Sequence, residues 1–206
     1  MPTIVLNSTT SWTVPADCVL IDSVECTGSG AGGANGNATT MNGGYGGGGG
    51  AYARKDNVPV TPGASISTTI AIGSPTNFGG ICIAASASGQ SGGTAAASTG
   101  DVKTSGNNGA SGSPGDVFNA IPGNGGNGGK AAGPYGGNGG AGGVATVYPD
   151  WVGHGSPGNP AGGGGGGGAG SFSPGLGRSP AIGRIVITYT PFVFAPGVRK
   201  RVYLRR

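Results

Sequence analysis

Glycine sets the strongest limit on what this chain can fold into. It supplies 51 of the 206 residues and proline another 15, whereas ordinary proteins contain about 7% glycine and about 5% proline. An ordered glycine is less favourable than an ordered alanine by about 0.5–1 kcal/mol, because glycine loses more conformational freedom on folding. An ordered structure therefore needs a source of stability besides the burial of side chains.

Disorder is the first alternative, and the charge content argues against it. Disordered chains combine low hydrophobicity with high net charge. In this sequence only 9% of the residues are charged, and the formal net charge is +4. So weakly charged a chain would be poorly soluble unless it folded, and we therefore expect an ordered protein.

Short β-strands account for most apolar residues. The sequence predicts strands at about 3–6, 19–26, 51–60, 66–72, 81–84 and 184–190. The clearest is 66–72, whose even-numbered residues, three isoleucines and a threonine, would share one buried face. Trp12 is expected to pack under the first strands. The span 89–183 lacks an alternating apolar pattern and needs another regular structure, because a loop of that length is not expected inside a domain.

The glycines supply that structure through a period of three. From 125 to 143, every third residue is Gly125, Gly128, Ala131, Pro134, Gly137, Gly140 and Gly143. Three residues per turn is the period of the polyproline II helix, and an edge with minimal side chains lets backbones approach closely. Neighbouring helices can then exchange backbone hydrogen bonds and Cα–H···O contacts. Collagen is disfavoured, because its unbroken Gly-x-y register is absent.

These patterns together predict the fold class and the domain organisation. The fold is mainly β and irregular, with a small antiparallel β-framework, a bundle of polyglycine helices of the polyproline II type and essentially no α-helix. Residues 1–190 form a glycine-rich domain. Residues 191–206 form a basic C-terminal docking segment.

The basic residues of that segment explain the high isoelectric point. Residues 1–198 carry six basic and seven acidic side chains, so the positive excess belongs to the C-terminal segment. A basic terminus can bind nucleic acid or a membrane, but the interleaved apolar residues favour docking to a partner protein over a nucleic-acid arm. The docking residues predicted for it are Phe192, Phe194, Arg199, Lys200, Arg201, Tyr203, Arg205 and Arg206.

The three cysteines indicate neither a disulfide scaffold nor a zinc site. Cys18, Cys26 and Cys82 are odd in number and lack a Cys-x-x-Cys spacing. In apolar strands such as those around Cys26 and Cys82, a thiol packs as a small hydrophobe. The sequence shows no signal peptide and no apolar span of membrane length. We therefore expect synthesis in a cytoplasm, with no membrane insertion.

The inventory of catalytic groups is thin. His154 is the only histidine, and the seven acidic residues are scattered. Asp150 lies near His154 in sequence, but neither a third metal ligand nor an activated nucleophile accompanies them. The run 46–50 lacks the Lys-Ser/Thr and the helix of a phosphate-binding loop. The sequence predicts no enzymatic activity, no metal and no cofactor.

The aromatic residues of the glycine-rich span are the remaining candidates for function. In such a bundle a large ring either fills space between helices or makes contacts from an exposed loop. Rings suit receptor or glycan contacts because they offer area with few rotatable bonds. The receptor-binding candidates are Phe118, Tyr135, Tyr148, Trp151, His154 and Phe172.

An ordered set of motifs resembles the glycine-rich domain of bacteriophage tail proteins. The motifs are WTVP at 12–15, GGGGGAYA at 46–53, VTPG at 60–63, TIAIG at 69–73, TNFG at 76–79 and RIVITY at 184–189. The resemblance covers roughly residues 10–190. The chain is also similar to the polyglycine-helix adhesins that cap long tail fibres. Unlike the longer members, it begins almost directly with the domain, has no obvious attachment domain and ends in the added segment 191–206.

The resemblance implies a virion protein made in the host cytoplasm, often at a tail or fibre tip, whose loops contact the bacterial surface. The expected partners are other virion proteins, a glycan or outer-membrane protein as receptor, and further copies of the chain, but not nucleic acid. An alternative is a decoration without receptor, such as a head fibre, collar or minor tail protein docked through 191–206. An ice-binding or extracellular glycine-rich protein is a third, which the missing signal peptide disfavours.

Overall fold

A computed structural model describes residues 1–145, 153–171 and 173–192. They form two antiparallel sheets, and no helix occurs among them, so the predicted mainly β fold is confirmed. No helix in these ranges is therefore long and apolar enough to cross a membrane. The strands are β1 (Thr3–Leu6), β2 (Ser11–Thr13), β3 (Leu20–Thr27), β4 (Tyr52–Pro59), β5 (Ser65–Thr69), β6 (Thr76–Phe78), β7 (Cys82–Ala84), β8 (Val102–Thr104) and β9 (Arg184–Tyr189).

The two sheets pack face to face around a small apolar core. The first sheet has the order β1-β9-β3-β4-β8, and the second has the order β2-β5-β6-β7. Phe78 is fully buried between them, and the ring of Trp12 packs against it with 5.8 Å between ring centroids. Trp12 thus lies under the first strands, as predicted. Cys26 and Cys82 are buried free thiols of the same core, where they pack as small hydrophobes.

The strands differ from the sequence prediction in two respects. Strand β5 ends at Thr69 rather than at 72, because the Thr9 hydroxyl bonds both the N–H and the C=O of Ile70 in place of a strand partner. Ile72 is consequently exposed. Strands β2, β6 and β8 were not predicted: each has three residues, too few for an alternating pattern.

Among the residues that the structure describes, eight extended segments, here called arms, project from one end of the first sheet. Arms 1, 2, 3 and 8 (residues 28–37, 42–51, 105–113 and 175–183) continue β3, β4, β8 and β9 directly and keep their antiparallel order. Arms 4, 5, 6 and 7 (residues 123–132, 137–144, 153–159 and 162–170) have no strand of their own. Arms 4, 6 and 7 bond the first four arms, and arm 5 bonds arms 4, 6 and 7. The arms therefore extend the sheet into a bundle.

Arm 7 lies at the centre of the bundle. Every backbone N–H from 162 to 170 donates a hydrogen bond to another segment, and every C=O from 161 to 169 accepts one. The partners recur every third residue. Gly164 and Gly167 donate to arm 4, for example, whereas Gly165 and Gly168 donate to arm 1. Six of the other seven arms surround arm 7 in this way, so backbone bonding takes the place of a side-chain core.

The glycines of arm 7 leave no room for a side chain. A Cβ atom added to any residue from 163 to 168 would lie closer than 3.0 Å to a carbonyl group of a neighbouring arm. Residues 161–170 are all buried. The arms can approach one another to hydrogen-bonding distance only because glycine lacks that atom.

The period-three run from 125 to 143 is not a single segment. It folds back at 133–136, where Gly133 has a φ of +84° and packs against the ring of Tyr52. Arms 4 and 5 on either side are antiparallel, with Gly128 N donating to Gly140 O at 2.8 Å. Two edges of arm 4 are packed: Gly123, Gly126 and Gly129 are buried, and a Cβ added to Gly125 or Gly128 would lie closer than 3.0 Å to a carbonyl oxygen of arm 7. The edge predicted from 125 is therefore closely packed in both arms, against arm 7 in arm 4 and against arm 6 in arm 5.

Candidate functional site

Several connections between arms lie at the end of the bundle away from the sheets, which we call the loop end. It comprises loops 37–42 and 114–122 together with the described residues that flank 146–152 and 172. Gly123 N donates to Met41 O at 2.8 Å, and Gly170 N donates to Gly123 O at 2.8 Å. Ala145, which precedes 146–152, donates its N–H to Asn124 Oδ1 at 2.6 Å. Connections that are far apart in sequence thus form one surface.

Loop 114–122 presents Phe118 to solvent. Asp116 and Ile121 exchange backbone hydrogen bonds of 2.7 and 2.9 Å, which close the loop. The carboxylate of Asp116 accepts hydrogen bonds from the N–H groups of Phe118 and Asn119, so it fixes the tip from inside. Phe118 is 97% exposed. Its ring therefore does not fill space between arms, which was one of the two roles that the sequence left open.

Loop 37–42 is also ordered by a side-chain oxygen that accepts hydrogen bonds from backbone N–H groups. Asn37 Oδ1 accepts hydrogen bonds from Thr39 N at 2.8 Å and from Thr40 N at 2.9 Å. Asn37 N donates to Asn42 O and closes the loop. Asparagine and aspartate side chains that bond the backbone two and three residues ahead form such turns locally. Neither Asn37 nor Asp116 was predicted as a functional residue, although this spacing of Asx and following polar residues was readable in the sequence.

The remaining predicted receptor residues fall into three groups. His154 is exposed near the loop end, and its Nδ1 accepts a hydrogen bond from Leu176 N at 3.0 Å, which orients the ring. Tyr135 lies in the turn 133–136 beside Tyr52, at the end of the bundle where the arms join the sheet. The structure therefore places His154 and Phe118 at the loop end and Tyr135 at the opposite end. Tyr148, Trp151 and Phe172 lie outside the described residues.

The predicted docking segment begins at the opposite end of the molecule from the loop end. Tyr189 pairs with Ile21 at the end of β3 away from the arms, and Tyr189 N donates to Pro2 O. Phe192 follows, half exposed, with its N–H donating to Asp17 O at 2.6 Å. The other docking candidates, Phe194, Arg199, Lys200, Arg201, Tyr203, Arg205 and Arg206, lie outside the described residues.

The electrostatics of the described residues are modest. Two ion pairs, Arg54–Asp56 and Lys55–Asp101, lie half-exposed on the sheet, where such pairs contribute little to stability. Burial and the hydrogen bond to Glu25 raise the pKa of Tyr52 well above its usual range. Within residues 1–145, 153–171 and 173–192, no three His, Cys, Asp or Glu side chains are placed to hold a metal ion.

Acid is expected to loosen the tip of loop 114–122. Hydrogen bonds from the Asn119 side chain, then from the N–H groups of Asn119 and Phe118, lower the pKa of Asp116 below its usual value. A lowered pKa means that the tip is held at neutral pH and released only as the pH falls through that pKa, below about 3.9. NMR of the Phe118 and Asn119 amides against pH should show that midpoint, and Asp116→Asn should abolish the titration. A midpoint above 3.9 would contradict this role of Asp116.

Comparison with known proteins leaves the geometry as the guide to function. No protein-family model matches the chain, and no curated protein matches it in sequence at a significant level. The features that bear on function are therefore the exposed tip of Phe118, the loop end that supports it and the arms that hold the loops away from the sheets.

Proposed function

We propose that this chain is a bacteriophage virion protein, a tail or fibre-tip adhesin that binds a bacterial surface receptor through its loop end, without catalysis. The observation that carries the proposal is the exposure of Phe118 on a loop that Asp116 holds in one conformation. An isolated soluble protein gains nothing from holding a phenyl ring in water, whereas fixed exposed rings are typical anchors of binding surfaces. Val117 and Ile121 on the same loop are also exposed and enlarge the apolar surface.

The proposal includes the nature of the arms, which we interpret as polyglycine helices of the polyproline II type. Their support is the period of three in hydrogen bonding. In arm 1, Ala31 and Ala34 donate to arm 2, Gly30 and Gly33 donate to arm 8, and the intervening Gly32 faces solvent. A β-strand instead alternates with a period of two. At ~3.1 Å per residue, a nine-residue arm holds the loops ~28 Å beyond the sheet.

Amide hydrogen exchange tests this interpretation of the arms. The amides of Gly30, Ala31, Gly33 and Ala34 should be slowed at least about 1,000-fold, because they exchange only when the bundle opens. The amides of Gly32 and Asn35 donate to no described group and should exchange much faster. The expected protection in arm 1 therefore has a minimum at every third residue.

The exchange pattern separates three structures. A period of two would indicate an edge β-strand, and uniformly fast exchange would indicate an unfolded arm. Either result would overturn the polyglycine-helix interpretation. Arm 7 supplies an internal reference, because all its amides from 162 to 170 are bonded and should be protected without a minimum.

Attachment to the particle is proposed for segment 191–206, in contact with another virion protein. Its support is position: Pro2 and Phe192 lie at the end of the first sheet opposite the loop end. A chain held at that end would point its loops outward. The same placement favours the second candidate, a decoration protein docked through 191–206 with no receptor of its own.

Competition with infection distinguishes the two candidates. Purified protein added to host cells before phage should bind the cells and lower the number of infections, because it occupies the receptor. Bovine serum albumin at the same concentration is the control for crowding and surface blocking. A protein that incorporates into particles but neither binds cells nor competes would refute the adhesin and leave the decoration.

A further inference from the structure

A shallow cavity of about 300 Å³ opens on the side of the bundle just below the loop end. Arm 2 contributes Asn42 and Tyr45 to its lining. Ser111 of arm 3 and the following Pro114 form another side, and Gln90 comes from the segment after β7. The volume is at the lower end of the range for small-molecule sites, about 300–1,000 Å³. The cavity therefore suits a ligand the size of one or two rings.

Tyr45 stands beside this cavity with its ring uncovered. It occupies the position of arm 2 whose N–H donates to no described group, between glycines that bond neighbouring arms. Its side chain is 41% exposed, and the flanking Gly43, Gly44, Gly46 and Gly47 carry no side chains to cover it. A tyrosine ring fixed in this way offers a flat apolar face at low entropic cost.

Polar groups around the ring are already oriented. Gln90 Nε2 donates to Gly109 O and to Ser111 Oγ, both at 3.0 Å, so the Gln90 amide and the Ser111 hydroxyl are held in place. Asn42 Oδ1 accepts from Gly115 N at 2.8 Å, which turns the Asn42 amide as well. The Ser111 hydroxyl hydrogen, the Asn42 Nδ2 group and the Tyr45 hydroxyl have no partner among the described residues. They remain free to bond a ligand.

The charge of the lining narrows the ligand further. None of the residues around the cavity is ionised at neutral pH. A phosphate or carboxylate would find no cationic side chain there to balance its charge. A ligand with an apolar face and several hydroxyl groups, each both donor and acceptor, meets the ring and the free polar groups without any charge.

From this arrangement we infer that the cavity binds a neutral pyranose of a surface glycan, stacked on Tyr45 and hydrogen-bonded by Asn42 and Ser111. The inference rests on the proposed host-recognition function and names the chemistry of its receptor. The site lies on the side of the bundle, so a glycan chain bound there would run alongside the loop end that presents Phe118.

NMR titration with a panel of saccharides, observed on both the ligand and the protein, tests this site. The neutral probes are glucose, galactose, N-acetylglucosamine and lactose, and glucuronic acid and glucose 6-phosphate are the anionic counterparts. At least one neutral sugar should bind saturably and shift the Tyr45 ring signals, with an affinity that does not change with salt. Tyr45→Ala should weaken that binding about tenfold or more, Tyr45→Phe should retain most of it, and Tyr135→Ala should leave it unchanged.

Three results would overturn the glycan site: no neutral sugar of the panel binds, Tyr45→Ala binds as well as the wild type, or only the anionic sugars bind. The proposed function can fail separately. Binding of cells without any Tyr45-dependent sugar binding removes the glycan site and leaves the adhesin. Sugar binding at Tyr45 without binding of host cells leaves the site and removes the adhesin.

Discussion

Gly165→Ala is expected to lower the free energy of unfolding by more than about 3 kcal/mol, whereas Gly32→Ala should leave it unchanged or raise it by about 0.4–1 kcal/mol. Both variants add the same methyl group, but the space available to it differs between the two positions. At Gly165 the new Cβ would lie closer than 3.0 Å to Arg178 O. At Gly32 the nearest atom is the same carbonyl oxygen at 3.5 Å, which is ordinary contact.

The large effect at Gly165 arises because the neighbouring arms cannot yield without losing hydrogen bonds. Gly165 N donates to Ala31 O at 3.0 Å, and its C=O accepts from Gly47 N at 2.8 Å. Moving arm 7 away from arm 8 would stretch the bond from Arg178 N to Gly166 O, 3.0 Å long, and displace the other two. Each buried group left unpaired costs about 1–3 kcal/mol. Overpacking in an ordinary core is partly relieved by side-chain movement, but here the clashing atom belongs to the backbone.

Urea denaturation of the wild type and the two variants measures the difference. If Gly165→Ala is recovered only as insoluble protein while Gly32→Ala is soluble, the substitution at 165 has destabilised the fold too far to measure, which also supports the prediction. If Gly165→Ala were within about 1 kcal/mol of the wild type, the tight backbone packing of arm 7 would be wrong. Equal destabilisation by both variants would mean that loss of glycine itself, rather than the missing space, decides stability.

The strands with alternating apolar residues were predictable, and the shortest strands were not. Strand β1 has the predicted bounds, and β3, β4 and β9 lie within one residue of theirs at both ends. Strand β8 could not be found from its own residues, because all three side chains are exposed. It is a strand because β4 lies beside it and because it leads into arm 3. These are tertiary contacts, and a strand of three residues is too short to show an alternating apolar pattern in the sequence.

The glycine repeat indicated close backbone packing but not where the chain turns. In arm 4 the exposed positions Asn124, Asn127 and Lys130 recur every third residue and mark the phase as clearly as the glycines do. The reversal at 133–136 depends on Gly133 against the Tyr52 ring, a contact between residues far apart in sequence. A local repeat sets the period, whereas the partners of each arm are set by the bundle.

At the candidate site, too, the type of residue could be predicted from the sequence and its position could not. The aromatic character of Phe118 was visible in the sequence, but its placement was not. Antiparallel arms send alternate connections to opposite ends of the bundle, so two rings in neighbouring connections, Phe118 and Tyr135, lie at opposite ends. The sequence analysis grouped them because both are aromatic residues of the glycine-rich span, but a single arm runs between their connections and places them at opposite ends.

Phe118→Ala is expected to weaken binding to host cells at least about 30-fold, because a central aromatic anchor contributes about 2 kcal/mol or more to binding. It should change the free energy of unfolding by less than about 0.5 kcal/mol, since the side chain is 97% exposed and packs against nothing that the fold needs. Its N–H bond to Asp116 is a backbone contact and survives the substitution. Flow cytometry with labelled protein gives the affinity, and urea denaturation gives the stability.

Tyr135→Ala is the matched control, because it removes an exposed ring from the opposite end of the bundle. It should bind host cells like the wild type. Loss of binding in Tyr135→Ala with retention in Phe118→Ala would place the receptor contact at the sheet end and reverse the proposed orientation on the particle.

Full binding by both single variants and by the double variant would show that neither ring contacts a receptor. The exposed phenyl ring would then require another explanation, such as contact between copies of the chain, which sedimentation of the wild type and of Phe118→Ala would reveal.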